Sequence, residues 1–368
     1  MISRVDRGGV RLVTRYCHRC KVPRILVAEH TWGPNGTIVL SRDPTHRMVI
    51  IDNVALTNIL DSISSRIGIP LDEIIVEAKR KSGRHFMDAL LSGVKGVIAR
   101  NLISARVYQQ MSKQVSMLGL GHAEVVSYKR HRFLEGIAAD VYSAPALAGD
   151  ICGAFESVER CRAVARFEHR ENGHVRIQIS RTDRQRSEYE DRFVYRPQPA
   201  LPGDNIFELC PVCKAPLELG RQYAFDMDRG LIHEVKTGHR AVLTGVMTLN
   251  NLFGELEKEL GEEIPHSIMT IEKERVKEVI TGKEKALDFS EAGYQRFMKT
   301  LRLRGMGNGR NVTMTGGHVE VRVDNPYYEP LVAGFLAGFY EVATGEPAVV
   351  EWTPANQGYT DVSLSPAQ

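Results

Sequence analysis

Apolar and polar positions along the chain fall into two successive series that read alike. In the first, the short runs RILVAEH, TIVLS and RMVIID are bounded by turn residues such as Gly33-Pro34-Asn35-Gly36. In the second, RQYAFDM, LIHEV and RAVLT are bounded by Asp228-Arg229-Gly230. Alternation between such punctuation predicts a small meander or hairpin in each series. Helical periods follow: VALTNILDSISSRIG, PLDEIIVEAKRK and roughly 86–117, then MTLNNLFGELEKELG, PHSIMTIEKERVKEVI and FSEAGYQRFMKTL. Leu249, Leu252, Leu256 and Leu260 recur at helical spacing, which predicts an inward-facing stripe. Each series closes with two strands, a helix carrying Gly-x-x-x-Gly, and two more strands. Strands and helices are grouped rather than alternating, so the pattern predicts an α+β fold with antiparallel sheet.

The likeness extends to individual residues. CHRCKVP at 17–23 returns as CPVCKAP at 210–216, and the same shift of 193 carries His46-Arg47 onto His239-Arg240. Leu56 and Asn58 fall on Leu249 and Asn251, and Gly68 on Gly261. Later the shift shrinks to about 185: LGLGH (118–122) matches RGMGN (304–308), and AGDICGAFESV (148–158) matches AGFLAGFYEVA (333–343). A series of matches in one order predicts two tandem repeats, 12–181 and 205–366, each a small antiparallel sheet with packed helices. The charged and then Pro-rich stretch at 182–204 cannot continue a helix and reads as the linker.

Composition narrows the function classes. The 368 residues are 43% hydrophobic and 25% charged, ordinary for a globular chain of two domains. With 48 basic and 45 acidic residues the formal charge is +3, too balanced to point to nucleic acid. The basic runs Lys79-Arg80-Lys81 and Lys129-Arg130-His131-Arg132 lack interleaved aromatics and read as solvated faces. No apolar run approaches the roughly 18 residues of a membrane span, and the start lacks an apolar signal core, so a cytoplasmic protein is expected. No nucleophile elbow, phosphate-binding lysine loop, H-E-x-x-H or nucleotide fingerprint is present. The glycines of LGLGHAE and RGMGNGR follow a helix and precede a strand, the reverse of the order a phosphate loop needs.

Candidate chemistry concentrates in the two C-x-x-C knuckles. A tight turn sets both thiolates of such a knuckle on one side, supplying two corners of a tetrahedron. Cys17, Cys20, Cys210 and Cys213 together make four, the number a structural zinc takes, and would clamp the repeats across a pseudo-twofold. In the competing local arrangement each knuckle recruits a histidine, His46 or His239, at C-x2-C-x25-H spacing. Iron in a four-thiolate site, a redox pair and unmetallated thiols are further readings. His18, inside the first knuckle, reads as solvent-exposed. Gly149-x-x-x-Gly153 and Gly334-x-x-x-Gly338 put glycines on one helix face, where helix–sheet packing is the first explanation. Glu156 and Glu341 read as exposed helix residues, and Cys152 as a small apolar group.

With the repeat laid out, the second half of each unit resembles the 4-vinyl reductase domain family. The resemblance rests on the glycine turns Gly119-Leu120-Gly121 and Gly305-Met306-Gly307, strands ending near Asp140 and Asp324, the G-x-x-x-G-x-x-E helix, and a closing hairpin. It implies a transport-complex-like fold and a module that binds a hydrocarbon or other small molecule. Cysteines common near the family's final hairpin are absent here, where Phe167-Glu168-His169-Arg170 and Trp352-Thr353-Pro354-Ala355 stand. The expectation is therefore a non-catalytic, zinc-containing binding or sensor protein for a hydrophobic or aromatic molecule, reporting through a partner protein or a homodimer. Pocket residues expected from the helix are Cys152, Gly153 and Phe155 in one unit, with Leu336, Gly338 and Phe339 in the other. A reductase or reductase accessory protein acting on a vinyl-bearing tetrapyrrole, and a structural adaptor, are the alternatives.

Overall fold

The structure is a computed structural model that describes residues 15–68, 70–93, 104–183, 189, 192, 193, 200–281 and 287–367. It is α+β, with every described strand pair antiparallel. In the first half a short helix α1 (Arg24–Glu29) leads into β1 (His30–Trp32), β2 (Ile38–Leu40) and β3 (Asp43–Asp52). Helices α2 (Asn53–Ile67), α3 (Asp72–Leu90) and α4 (Ser104–Met117) follow. The hairpin β4 (His122–Lys129) and β5 (Phe133–Ala139), helix α5 (Ala144–Glu159) and hairpin β6 (Ala163–His169) and β7 (Val175–Arg181) complete it. The second half repeats the order: α6 (Leu217–Gln222), β8 (Tyr223–Asp226), β9 (Leu231–Glu234), β10 (Arg240–Gly245), α7 (Val246–Leu260), α8 (Glu263–Thr281) and α9 (Glu291–Arg304). Then come β11 (Asn308–Thr315), β12 (His318–Asp324), α10 (Glu329–Thr344), β13 (Ala348–Trp352) and β14 (Tyr359–Pro366).

Two four-stranded sheets share one strand order, β4-β5-β7-β6 and β11-β12-β14-β13. The front strands do not form two separate small sheets, as the sequence pattern suggested. They join edge to edge in one six-stranded sheet, β1-β2-β3-β10-β9-β8, through antiparallel pairing of Met48–Asp52 with Ala241–Gly245. The paired segments Met48–Asp52 and Ala241–Gly245 are largely apolar and buried throughout, so the seam is part of the core rather than a docking face. RILVAEH and RQYAFDM also begin as helices, α1 and α6, before turning into strands.

The halves are interlocked further by the glycine turns. Gly119 to Gly121 of the first half lie on the second half's hairpin, where the Leu243 N–H donates to Leu118 O at 2.9 Å and Gly121 N–H to Gly230 O at 3.0 Å. Arg240 donates to Gly119 O at 2.9 Å. Reciprocally, Gly307 N–H donates to Gly36 O at 3.2 Å and Arg304 to Ile50 O at 3.2 Å. A Cβ at Gly230 would sit 1.9 Å from Gly121 O, so these turns touch backbone to backbone. Helix α2 packs on α8, and α7 on α3, again across the halves.

Glycines also set the helix pairs. A Cβ at Gly149 would lie 2.4 Å from Val76 O, and one at Gly153 2.0 Å from Arg80 O. Gly334 and Gly338 stand likewise against Met269 O and Lys273 O, at 2.4 and 2.7 Å. The Gly-x-x-x-Gly face therefore seats helix on helix, α5 on α3 and α10 on α8, rather than helix on sheet.

Candidate functional site: a four-cysteine cluster and an apolar pocket

Each knuckle is a tight backbone turn that the sequence builds in the same way twice. Cys17 N–H donates to Val22 O at 2.9 Å and Lys21 N–H to Cys17 O at 2.9 Å; Cys210 to Ala215 and Lys214 to Cys210 repeat this at 2.8 and 2.9 Å. Lys21 and Lys214 take left-handed backbone, φ 63° and 66°, to close the turns. The two knuckles meet. Cys17 Sγ lies 3.8 Å from Cys210 Sγ, and Cys20 Sγ 3.4 Å from Cys213 Sγ. All four sulfurs fall within 4.8 Å of one another and no disulfide joins them.

These distances fit a metal. Four thiolates about 2.3 Å from a tetrahedral zinc stand about 3.8 Å apart. Burial disfavours the Cys17 thiolate, yet the Cys20 and Arg19 backbone groups aimed at its sulfur outweigh burial and bring its pKa down to about 6. Cys210 is lowered too: burial opposes the thiolate, and the Cys213 and Val212 backbone groups favour it. Burial raises Cys20 and Cys213, which share the cluster with the other thiols. A cation at the centre would remove that opposition by stabilising all four thiolates together.

His46 and His239 both lie outside this cluster, so the local three-ligand arrangement is not formed. His239 Nδ1 instead meets Asp52 Oδ2 at 3.0 Å. His46 lies beside Asp43 and His85. His18 is exposed.

A pocket of about 70 Å³ opens between α3, α4, α5 and the six-stranded sheet. Its walls are largely apolar, with Met48, Phe86, Met87, Met111, Val115 and Leu243 among them. Few polar groups reach it. Lys79 Nζ pairs with Asp150 Oδ2 at 2.9 Å and lies 3.3 Å from Thr244 Oγ1. Burial pushes the Asp150 carboxyl up, partly offset by Lys79. Burial likewise lowers His46 to about 4, with His85 adding to the effect, so the imidazole is neutral at pH 7. A void of about 30 Å³ adjoins the pocket and shares Met111, Val115 and Ile151 with it.

None of the six pocket residues expected from sequence lines this cavity. Cys152, Gly153, Phe155, Leu336, Gly338 and Phe339 are all buried in packing. The lining positions on α5 are their neighbours Asp150, Ile151 and Ala154. Across the shift of 185 these correspond to Phe335, Leu336 and Phe339. In the second half that space is filled: Phe297 stacks on Phe335 at 4.3 Å and on Phe339 at 4.4 Å between centroids. The pocket's polar positions differ as well. Lys79, Ser82 and Gly245 correspond to Glu272, Arg275 and Asp52, which join in an ion network: Arg275 Nη2 meets Glu272 Oε1 at 2.6 Å and Arg275 Nη1 meets Asp52 Oδ2 at 3.6 Å.

Glu156 and Glu341 are buried rather than exposed, at 2% and 7% relative exposure. Glu156 takes Arg80 Nη1 at 2.7 Å and the Ala163 N–H at 3.0 Å. Glu341 takes Lys273 and Lys277 at 2.7 Å each and the Ala348 N–H at 3.1 Å. Against the upward push of burial, the two lysines hold Glu341 below the usual range. Each carboxylate ties a helix pair to the next strand, a structural duty. Lys79 and Arg80, read as a solvated run, are buried for the same reason.

No family profile matches the chain, and no curated protein matches it. Among solved structures it is similar to the phenol-responsive sensory domain of the transcription activator PoxR with phenol. That likeness is 16% in identity with a TM-score of 0.33, over 40% of this chain and 87% of that one. A structure described as "Probing the function of heme distortion in the H-NOX family" matches at 13% identity and a TM-score of 0.24, over 33% and 71%. At these TM-scores neither carries an inference about this chain. No described helix is long and apolar enough to cross a membrane.

Proposed function

We propose that this is a duplicated, non-catalytic binding protein whose first half holds one small apolar or aromatic molecule, while a zinc ion in the four-cysteine cluster staples the two halves. The observation that carries the reading is the pocket. Its free volume of about 70 Å³ takes a few heavy atoms as it stands and a single ring once the flexible Met48, Met87 and Met111 side chains give way. Its walls are apolar, and its few polar groups stand where they would orient one substituent. The likeness to 4-vinyl reductase domains, drawn from the glycine turns and the G-x-x-x-G-x-x-E helices, agrees with a binding module. In the second half the equivalent space is filled by Phe297, Phe335 and Phe339, so that half supplies one wall, Leu243 to Gly245, and holds no second copy of this pocket. Zinc suits four thiolates without bringing redox chemistry.

The test is titration calorimetry with a fixed panel of phenol, benzyl alcohol and indole against the full chain and against Met111→Phe. Position 111 corresponds to Phe297, so the variant places in the first half the ring that closes the second. Binding of at least one panel member at one site per chain is expected, with at least tenfold loss in the variant at unchanged melting temperature. Binding at two sites, binding indifferent to the variant, or no binding by any member would overturn the reading.

A further inference from the structure

Outside the four-cysteine cluster, a second group of ligand-type side chains converges. Asp43 and His46 stand three residues apart at the start of β3, and His85 reaches them from α3. Their candidate ligand atoms lie within 4.8 Å of one another. We propose that Asp43, His46 and His85 form a second metal site, taking a divalent transition ion of the zinc class and sited only in the first half.

Three observations support it. The His85 Nε2 to Asp43 Oδ2 separation is 3.3 Å, the edge expected when ligands stand about 2.0–2.1 Å from a tetrahedral ion. The other carboxylate oxygen, Asp43 Oδ1, accepts from Thr45 N–H at 3.1 Å and Thr45 Oγ1 at 2.6 Å, which fixes the carboxylate with Oδ2 toward the histidine. The His46 and His85 ring centroids stand 5.5 Å apart, close to the spacing of two imidazoles on one tetrahedral ion. Because their planes are nearly parallel, at 11°, one ring must rotate about its side-chain bonds for both to bind in plane. Two imidazoles and a carboxylate suit zinc, cobalt, nickel or iron(II), and three protein ligands leave a position for an exogenous one.

The second half cannot build the equivalent site. The shift of 193 puts Lys236 in place of Asp43 and Glu278 in place of His85, while His239 is turned to Asp52. The first half thus keeps the ligand set and the open pocket together, and His46 is both a corner of the trio and a wall of the pocket. The plain alternative is an Asp–His ion pair beside a stacked ring, which would hold no ion.

Cobalt(II) titration of the reduced, metal-free full chain separates the two, followed by visible spectrum and by the metal retained after gel filtration. Two equivalents per chain are expected: one with thiolate charge-transfer absorption, the other adding only weak ligand-field bands. His85→Ala and Asp43→Asn, both partly exposed positions, should each bind a single equivalent with the thiolate band intact, which also reports that the fold survives. Saturation of the wild-type chain at one equivalent, or a second equivalent that persists in either variant, would overturn the proposal. Because the probe is the metal alone, this outcome is independent of whether the pocket binds any organic molecule.

Discussion

A hydrogen atom in place of a methyl group at position 153 decides how closely α5 approaches α3. With Arg80 O only 2.0 Å from where a Cβ would be, Gly153→Ala must push backbone against backbone. We expect a loss of about 3 kcal/mol in denaturant unfolding, at the upper end of overpacking costs. Gly254, inside α7, has nothing within 4 Å of its Cβ position. Gly254→Ala should therefore stabilise by about 0.5–1 kcal/mol through helix propensity alone. At this scale the sequence was partly legible. The cysteines and His46 stand out by spacing, whereas the grouping of His46 with Asp43 and His85 does not, because a strand start and the middle of a helix share no local motif. Glu156 was misread for a related reason: its partner Arg80 lies 76 residues away on another helix.

Among elements, the instructive case is α5. Almost every residue from Ala144 to Glu159 is buried, so periodicity cannot say which face meets the cavity and which the neighbouring helix. Of the six residues expected around a pocket, Cys152, Gly153 and Phe155 face away from this cavity, while Leu336 and Phe339 hold the positions equivalent to its lining residues Ile151 and Ala154. The strand pair β3 and β10 carries the next consequence. Because these strands join both halves in one sheet core, the molecule should unfold as a single unit even without metal. Calorimetry of the chelated, reduced chain should give one transition, with van't Hoff and calorimetric enthalpies equal within error. Two resolved transitions would mean that the seam is not a continuous core.

Across the whole molecule, pseudosymmetry hides the topology from the sequence. Both halves carry the same turn and the same hairpin, so a turn docked on its own hairpin and one docked on the other half's leave identical residue patterns. The composition and grouping of elements gave the α+β class, but only the assembled chain shows Gly119 against Ile232 and Gly305 against Ile38. The seam does not itself bring the knuckles together: they precede β1 and β8, the outer strands of the six-stranded sheet, and meet where a Cβ on Gly220 of α6 would lie 2.1 Å from Cys20 O. Cys17 faces Cys210 and Cys20 faces Cys213, so the two knuckles together present the four sulfurs that one ion would take. X-ray absorption fine structure on the chain loaded with one equivalent of zinc tests this most directly. Four sulfur neighbours at about 2.3 Å are predicted. A shell of two sulfurs with two nitrogen or oxygen neighbours would show that each knuckle binds on its own, and would contradict the account.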